Sequence, residues 1–420
     1  METPFLATAR PTRKLLGLEW PSHVTPAERR SLIAGGLGWM LDAMDVMLYS
    51  LVLSNLIQVL AMDKTTAGML NSLTLFASAV GGFLFGFIAD RIGRVRALMA
   101  TILVYSLSSA ACGLSQAIWQ LALFRFILGL GLGGEWTAGA ALVAETWPPE
   151  HRGKALGLVQ STWAIGEMIA AAAVALILPR FGWRAVFFFG VVPALLVFWI
   201  RRGVPESEIW KASAEQRKTS LKELWKPGTR RHGIIATAMN AAGMFGYWGL
   251  FTWIPAYLSL PLSEGGRGLN LTQTTAWLIV MGVGKWLGYI LFGFIADIIG
   301  RRPTYIGYLL IAAGLTPLYG IAHQPLWLLF LGPFVAFFGT GFFSGFSAIA
   351  SEIFPTSIRA TAMGISYNAG RGLSALAPFT IGFLAHTYGL GYAFFLTAAA
   401  FLVGAILAFF LPETKGKQLQ

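Results

Sequence analysis

Charge is scarce in this sequence, and the places where it is missing say more than its total. Aspartate, glutamate, lysine and arginine make up 12% of the 420 residues, against 56% hydrophobic residues. From residue 31 almost to the end the chain runs in long apolar stretches, which excludes an ordinary water-soluble enzyme. Cysteine is nearly missing as well. The single Cys112 stands inside an apolar stretch, which rules out an intramolecular disulfide and leaves a packing role. Residues 1–30 lack the apolar centre of a cleavable leader, so the first apolar stretch is expected to remain as the first helix. There is no metal-ligand cluster and no nucleophile with a base, so an integral-membrane enzyme is disfavoured and no cofactor is expected beyond a proton gradient.

What the sequence has in abundance is membrane-length segments. A spanning helix needs about 20 mostly apolar residues. The chain supplies about twelve such runs, near 31–58, 65–89, 97–115, 118–144, 155–178, 183–200, 233–259, 272–296, 303–322, 326–350, 361–386 and 390–411. The expected fold class is all-α, a polytopic membrane protein with the lipid bilayer as its surroundings. The net charge of +12 raises the possibility of nucleic acid, but the basic residues sit on alternate loops. One side holds Arg10, Arg13, Lys14, Arg29, Arg30, Arg91, Arg94, Arg96 and the loop from Arg201 to Arg231; the other holds Lys64, Arg180, Arg184 and Arg267. Basic residues stay on the cytoplasmic side, so both termini are expected there, in a plasma (inner) membrane, and no nucleic-acid partner is expected.

The chain also repeats itself. GFIADRIGRVR begins at Gly86 and GFIADIIGRRP at Gly293, an offset of 207 residues. Glu145-Thr-Trp-Pro-x-x-x-Arg152 and Glu352-Ile-Phe-Pro-x-x-x-Arg359 share that offset. Two unrelated motifs at one offset imply duplication of a half-chain. The expected organisation is a six-helix bundle over 1–200 with its tail, a cytoplasmic linker over 201–232, and a second six-helix bundle over 233–420. An even number of spans in each half makes the two parallel repeats, related by an axis along the membrane normal.

These residues resemble a known family. The loop Gly86-x-x-Ala89-Asp90-Arg91-x-Gly93-Arg94, echoed between spans eight and nine, is similar to the loop motif of the major facilitator superfamily. Leu121-x-x-x-Arg125-x-x-x-Gly129-x-Gly131 resembles its motif in span four, and PESEIW at 205–210 and LPETKGK at 411–417 resemble segments of its sugar-porter-like members. On the physics of the loops, Asp90 is expected to cap a helix. Arg91, Arg94, Asp297, Arg301, Glu145, Arg152, Glu352 and Arg359 are expected to act as a cytoplasmic gate, with arginines pairing acids across the seam between halves. Ile298 stands where the first copy has Arg91, so the second latch is expected to be the weaker one. GLGLGG at 129–134 lacks a following lysine and reads as close helix packing rather than a phosphate loop.

Ionisable groups inside spans are expensive and mark aqueous cavities or ion paths. They are Asp42 and Asp45 in span one, Arg125 and Glu135 in span four, Glu167 in span five, Lys285 in span eight and Arg371 in span eleven. At about 1.5 Å per residue, Asp42, Glu135 and Arg371 each lie about 15 Å deep, close to the midplane. The repeat offset places Asp42 opposite Gly249, Asp45 opposite Thr252, Glu135 opposite Phe342, Glu167 opposite Ser374, Lys285 opposite Ser78 and Arg371 opposite Ala164. The acids thus belong to the first half, and the cations other than Arg125 to the second. This suggests protons held by one half and an anion by the other. Asp42 and Asp45 share a helix face with Trp39 and Tyr49, and buried carboxyls are suited to loading and releasing a proton. Arg371 offers a planar fork for a carboxylate. Tyr367, Asn368, Gln160, Trp163, Glu167, Asn240 and Tyr247 are expected to complete the substrate site. Lys285 reads either as a second anion contact or as the partner of a buried acid, and Arg125 either as a helix-end anchor or as a proton-coupling residue. Glu135 reads as proton site or ion-pair partner.

The span-one acid pair and the G-G-E-W of span four resemble organic-acid:proton symporters, including sialate, lactate/pyruvate and aromatic-acid permeases. What the resemblance implies is symport of a monocarboxylate with protons by rocking of the two halves, with the protein working as a monomer. A proton-driven exporter of the same fold is the alternative, although residues 155–178 lack the Gly-Pro pair common in such exporters. A membrane sensor would need a signalling domain, and no soluble segment exceeds the middle loop.

Overall fold

The computed structural model describes residues 12–15, 18–21, 24–213, 226–354 and 359–415. Within them the chain is helical apart from a short antiparallel hairpin, β1 (Thr12–Leu15) with β2 (Leu18–Pro21). The helices of the first half are α1 (Pro26–Val59), α2 (Lys64–Ile92), α3 (Arg94–Cys112), α4 (Ile118–Thr146), α5 (Pro149–Phe189) and α6 (Ala194–Gly203), followed by the short α7 (Glu208–Ser213). The second half has α8 (Pro227–Phe251), α9 (Ile254–Ser259), α10 (Leu271–Ile299), α11 (Arg301–Ile321), α12 (Pro325–Ile353), α13 (Arg359–Ser374), α14 (Leu376–Tyr388) and α15 (Leu390–Ala408).

Ten segments among the described residues are long and apolar enough to cross a membrane. The expected twelve crossings are recovered from two irregularities. Residues 154–203 count as one segment, but Gly182 breaks it at φ 74°, a left-handed conformation that glycine adopts cheaply, and two crossings result. A further crossing is shared by α13 and α14, which meet at Ala375 and are each too short to span alone.

Local chemistry sets the helix ends. Thr25 and Glu28 form a capping box ahead of α1, with Pro26 in the first turn. Asp63 caps α2 by accepting from the Thr66 N–H at 2.7 Å, and Asn270, 207 positions later, caps α10 in the same way through the Gln273 N–H at 2.8 Å. Gly93 and Gly300 end those two helices at φ 105° and 110°. The duplication is therefore conformational as well as sequential. It extends to packing: a Cβ on Gly81 would run into the Leu130 carbonyl of α4, and one on Gly288 into the Phe337 carbonyl of α12. Both contacts are related by the same offset, and both let helix backbones meet where lipid offers no hydrophobic drive for association. Large apolar side chains such as Phe87, Leu107, Leu176 and Phe198 cover the outside, as a lipid-facing surface requires.

The halves meet along a seam. On the face opposite the chain termini, called the distal face, four hydrogen bonds cross it. Lys64 Nζ donates to the Glu264 carbonyl at 2.6 Å and Ser259 Oγ to Ser54 Oγ at 3.1 Å. Asn71 Nδ2 donates to Thr252 Oγ1 at 2.9 Å and the Phe379 N–H to Ser72 Oγ at 3.0 Å.

Candidate functional site

Arg371 lies near the end of α13, just before the break at Ala375, and projects into the seam. Its Nη1 donates to Ser78 Oγ of α2 at 2.8 Å and its Nη2 to the Tyr367 hydroxyl at 3.5 Å, while Nε has no partner. Its described partners are hydroxyls, and no described carboxylate is within ion-pairing distance. Asp42, Ser78, Asn71, Thr74, Trp163, Trp248 and Arg371 line one cavity of about 10 Å³, too small for a carboxylate in this closed form. Glu135, from α4, lies in electrostatic range of both Asp42 and Arg371. Asp42 Oδ1 and both Glu135 carboxyl oxygens lack a hydrogen-bond partner. Gly38 makes this possible, because a side chain there would occupy the position of the Glu135 carboxyl.

An aromatic wall bounds the cavity. Trp39 meets Trp136 at 4.3 Å and Trp163 at 4.6 Å between ring centroids, and Trp136 and Tyr367 extend it across the seam at 6.0 Å. Trp163 and Trp248 continue it at 6.1 Å. Four of these residues are tryptophans, their rings tilted or edge-on to one another, so the wall is apolar with few polar atoms.

The two span-one aspartates share a helix but not an environment. Asp42 opens on the cavity, whereas Asp45 accepts a hydrogen bond from Ser109 of α3 at 2.9 Å. Arg125 is wholly buried, which sets aside the helix-end anchor reading. Its Nη2 donates to Asn71 Oδ1 at 2.8 Å and its guanidinium lies 3.8 Å from the centroid of the Tyr49 ring. Because Asn71 also bonds Thr252, Arg125 is linked across the seam through one amide.

Lys285 is the partner of a buried acid rather than an open anion contact. Its Nζ sits 2.5 Å from Glu167 Oε2, and both side chains are at most 10% exposed. Glu167 Oε1 accepts from Trp163 Nε1 at 2.8 Å and from the Tyr247 hydroxyl at 2.7 Å. Gln160, about two turns away from Glu167 on α5, hydrogen-bonds Tyr289 of α10. Asn240 is buried against Gly370 with its Nδ2 near Met244 Sδ at 3.7 Å, and does not line the cavity. The Asn368 amide bonds the Gly364 carbonyl and packs where a Gly82 side chain would be.

The ion pairs described for the residues of the expected cytoplasmic gate join side chains of the same half. Arg94 pairs with Asp90 at 2.5 Å and Glu145 at 2.9 Å; Arg301 pairs with Asp297 at 2.6 Å and Glu352 at 3.4 Å. Each arginine begins a helix four residues after the acid in the last turn of the one before it, which makes that pairing a short reach. The caps described at the starts of α3 and α11 come from other acids. Glu206 accepts from the Arg94 and Val95 N–H groups at the start of α3, and Glu413 from those of Arg301 and Arg302 at the start of α11. Arg91 instead stacks its guanidinium 4.0 Å from the Phe87 ring, and Ile298 is exposed, so the missing arginine removes no ion pair from the second copy. The side chains of Arg152 and Arg359 lie outside the described residues.

Several contributors were not among the expected site residues. Glu206 and Glu413 were signalled by Pro-Glu-Ser and Pro-Glu-Thr at the same offset of 207. Ser78 and Asn71 carried no signal, being ordinary polar residues of an apolar helix. Tyr105 of α3 is fully buried with an unpartnered hydroxyl, in electrostatic range of Glu135, Asp42 and Asp45.

Comparison with known proteins agrees with this architecture. The Major Facilitator Superfamily profile matches residues 36–267 and 258–420. The chain is 35% identical over 392 residues to the cis,cis-muconate transport protein of Acinetobacter baylyi, covering 90% of this chain and 92% of that one. It is 28% identical over 390 residues to the sialic acid transporter of Escherichia coli, covering 92% and 95%. The crystal structure of a D-xylose-proton symporter matches with a TM-score of 0.75 at 22% identity, over 94% of this chain and 100% of that one, a likeness of fold. A duplicated six-helix bundle, doubled loop motifs and a charged midplane seam, found throughout a chain that this profile spans, make it a member of the Major Facilitator Superfamily, a secondary transporter and not an enzyme.

Proposed function

We propose that the chain carries a small organic acid across a membrane in symport with protons, by alternating access. The observation that carries this reading is Arg371: a buried guanidinium at the seam whose described partners are the neutral hydroxyls of Ser78 and Tyr367. A carboxylate would satisfy it better than a hydroxyl, by a charge-assisted and bidentate pair. The aromatic wall of Trp39, Trp136, Trp163 and Trp248 fits a flat or apolar body behind that carboxylate. The names of the relatives support the class, since muconate and sialic acid are both carboxylic acids.

Asp42 and Glu135 are the proton carriers of this reading, being acids without a cationic partner beside the anion site. Loading them with protons lowers their repulsion of an entering carboxylate, which ties the proton to the substrate. In this reading the termini lie in the cytoplasm, as the distribution of basic residues favours, and the hydrogen-bonded distal face is the outer one. Uptake of labelled lactate, pyruvate, benzoate, muconate and sialate into proteoliposomes, with and without an inward proton gradient, tests the reading. Accumulation of at least one acid only under the gradient is expected. Failure of every carboxylate to enter would remove it. Gradient-driven exclusion of substrate would favour the exporter.

A further inference from the structure

We propose that Glu167 and Lys285 are a pivot: an ion pair across the seam that stays closed through the transport cycle and positions α5 against α10, rather than a contact for the substrate. The proposal rests on the alternating-access reading. The pair is the most fully satisfied ionic contact of the midplane. Glu167 takes Lys285 on one oxygen and both Trp163 and Tyr247 on the other. Lys285 is further held over the Phe251 ring at 3.8 Å and the Tyr247 ring at 5.1 Å. The same pair of helices is joined by Gln160 with Tyr289 and by Met168 packed against Gly282.

The internal repeat sharpens the contrast. The positions equivalent to Glu167 and Lys285 are Ser374 and Ser78, so the seam between α2 and α13 has no ion pair at the equivalent positions. Among the described residues the hydrogen bond there is from Arg371 to Ser78, which an incoming carboxylate can replace. One seam is fastened by charge and the other by an exchangeable hydroxyl. A contact near the midplane moves little when two halves rock about it, so a charged pair can persist there while the distal hydrogen bonds break.

Two measurements separate a pivot from an anion contact. The first is substrate binding to Lys285→Met, Glu167→Gln and the double variant. Each single change leaves a buried charge unpaired and impairs the protein, whereas the double variant is expected to bind within about threefold of the parent. A double variant that loses binding tenfold or more, as Arg371→Ala is expected to, overturns the proposal. The second is bridging Glu167→Cys and Lys285→Cys with a short bis-thiol reagent, with and without bound benzoate. Equal bridging yields are expected in both states, while a Ser54→Cys/Ser259→Cys control at the distal face should change its yield by severalfold. Bridging at the proposed pivot that changes with substrate as the control does also overturns it. Loss of uptake by the unaltered protein would instead speak against the proposed function.

Discussion

Arg371 reaches from the second half of the molecule to Ser78 of the first, 2.8 Å from Nη1 to Oγ, and Ser78 is the residue that the internal repeat sets opposite Lys285. The two midplane cations of the second half thus each fasten the first half, Lys285 through a carboxylate and Arg371 through a hydroxyl. The asymmetry leaves the Arg371 guanidinium on neutral hydroxyls, where it can accept an anion.

Ser78→Ala removes the hydroxyl that competes with substrate for Arg371. A hydrogen bond to a charged group is worth about 1.5–3 kcal/mol, so substrate affinity in that variant should rise by about tenfold or more while the closed empty form loses stability. Tryptophan-fluorescence titration with the transported acid measures this directly. An unchanged affinity would separate Ser78 from the site.

Arg371→Lys keeps the charge but loses the planar fork. Binding should weaken by at least tenfold, since a point charge cannot reproduce two parallel hydrogen bonds to a carboxylate. Equal affinities in the two proteins would show that the site reads charge alone.

Asp42→Asn and Asp45→Asn should differ. Asp42 faces the cavity with an unpartnered oxygen, whereas Asp45 is held by Ser109. The Asp42 variant is expected to lose gradient-driven accumulation and keep exchange of substrate for substrate. Ser109→Ala should perturb accumulation only if Asp45 also carries protons, so exchange and accumulation assays on the three variants assign the roles.

Tyr105→Phe deletes one hydroxyl among Glu135, Asp42 and Asp45 and leaves the packed ring. The expected result is a shift in the pH profile of uptake with little change in thermal stability. A profile that superposes on the parent would leave Tyr105 as packing only.

Glu413→Gln tests the helix cap of α11. Burial pushes the Glu413 carboxyl up, but the N–H groups of Lys415, Arg301, Arg302 and Thr414 outweigh it and hold the group below its ordinary 4.5. A carboxyl held down in the folded state adds stability above its unfolded value, and that contribution is lost as pH falls through the folded value. Thermal unfolding in detergent should therefore weaken on acidification below about pH 4, and the Gln variant should lack that part of the dependence. At neutral pH it should be less stable by about 1 kcal/mol.

The gate residues show where sequence reasoning succeeds and where it stops. Spacing identified Asp90, Arg94, Glu145 and their counterparts Asp297, Arg301 and Glu352 as one linked set, because duplication preserves linear order. Spacing could not say which acid each arginine would reach. Pairing within a half depends on how α2, α3 and α4 lie against one another, and the capping glutamates come from a segment 112 residues beyond Arg94. The same holds for Asp42 and Asp45. Three residues apart on a helix implies neighbouring directions, yet α1 is wide enough for one to meet the cavity and the other α3.

By itself the sequence determined the membrane-spanning class, the count of crossings, the duplication and the sorting of buried acids and cations into opposite halves. Those properties follow from hydrophobic length, charge bias and linear repetition, which are written along the chain. Tertiary structure alone decided that Glu167 occupies Lys285 and that Arg371 is left to Ser78 and Tyr367. Which buried charge is neutralised depends on distances between helices far apart in sequence, and a difference of a few ångströms in a low-dielectric seam separates a closed ion pair from an open site.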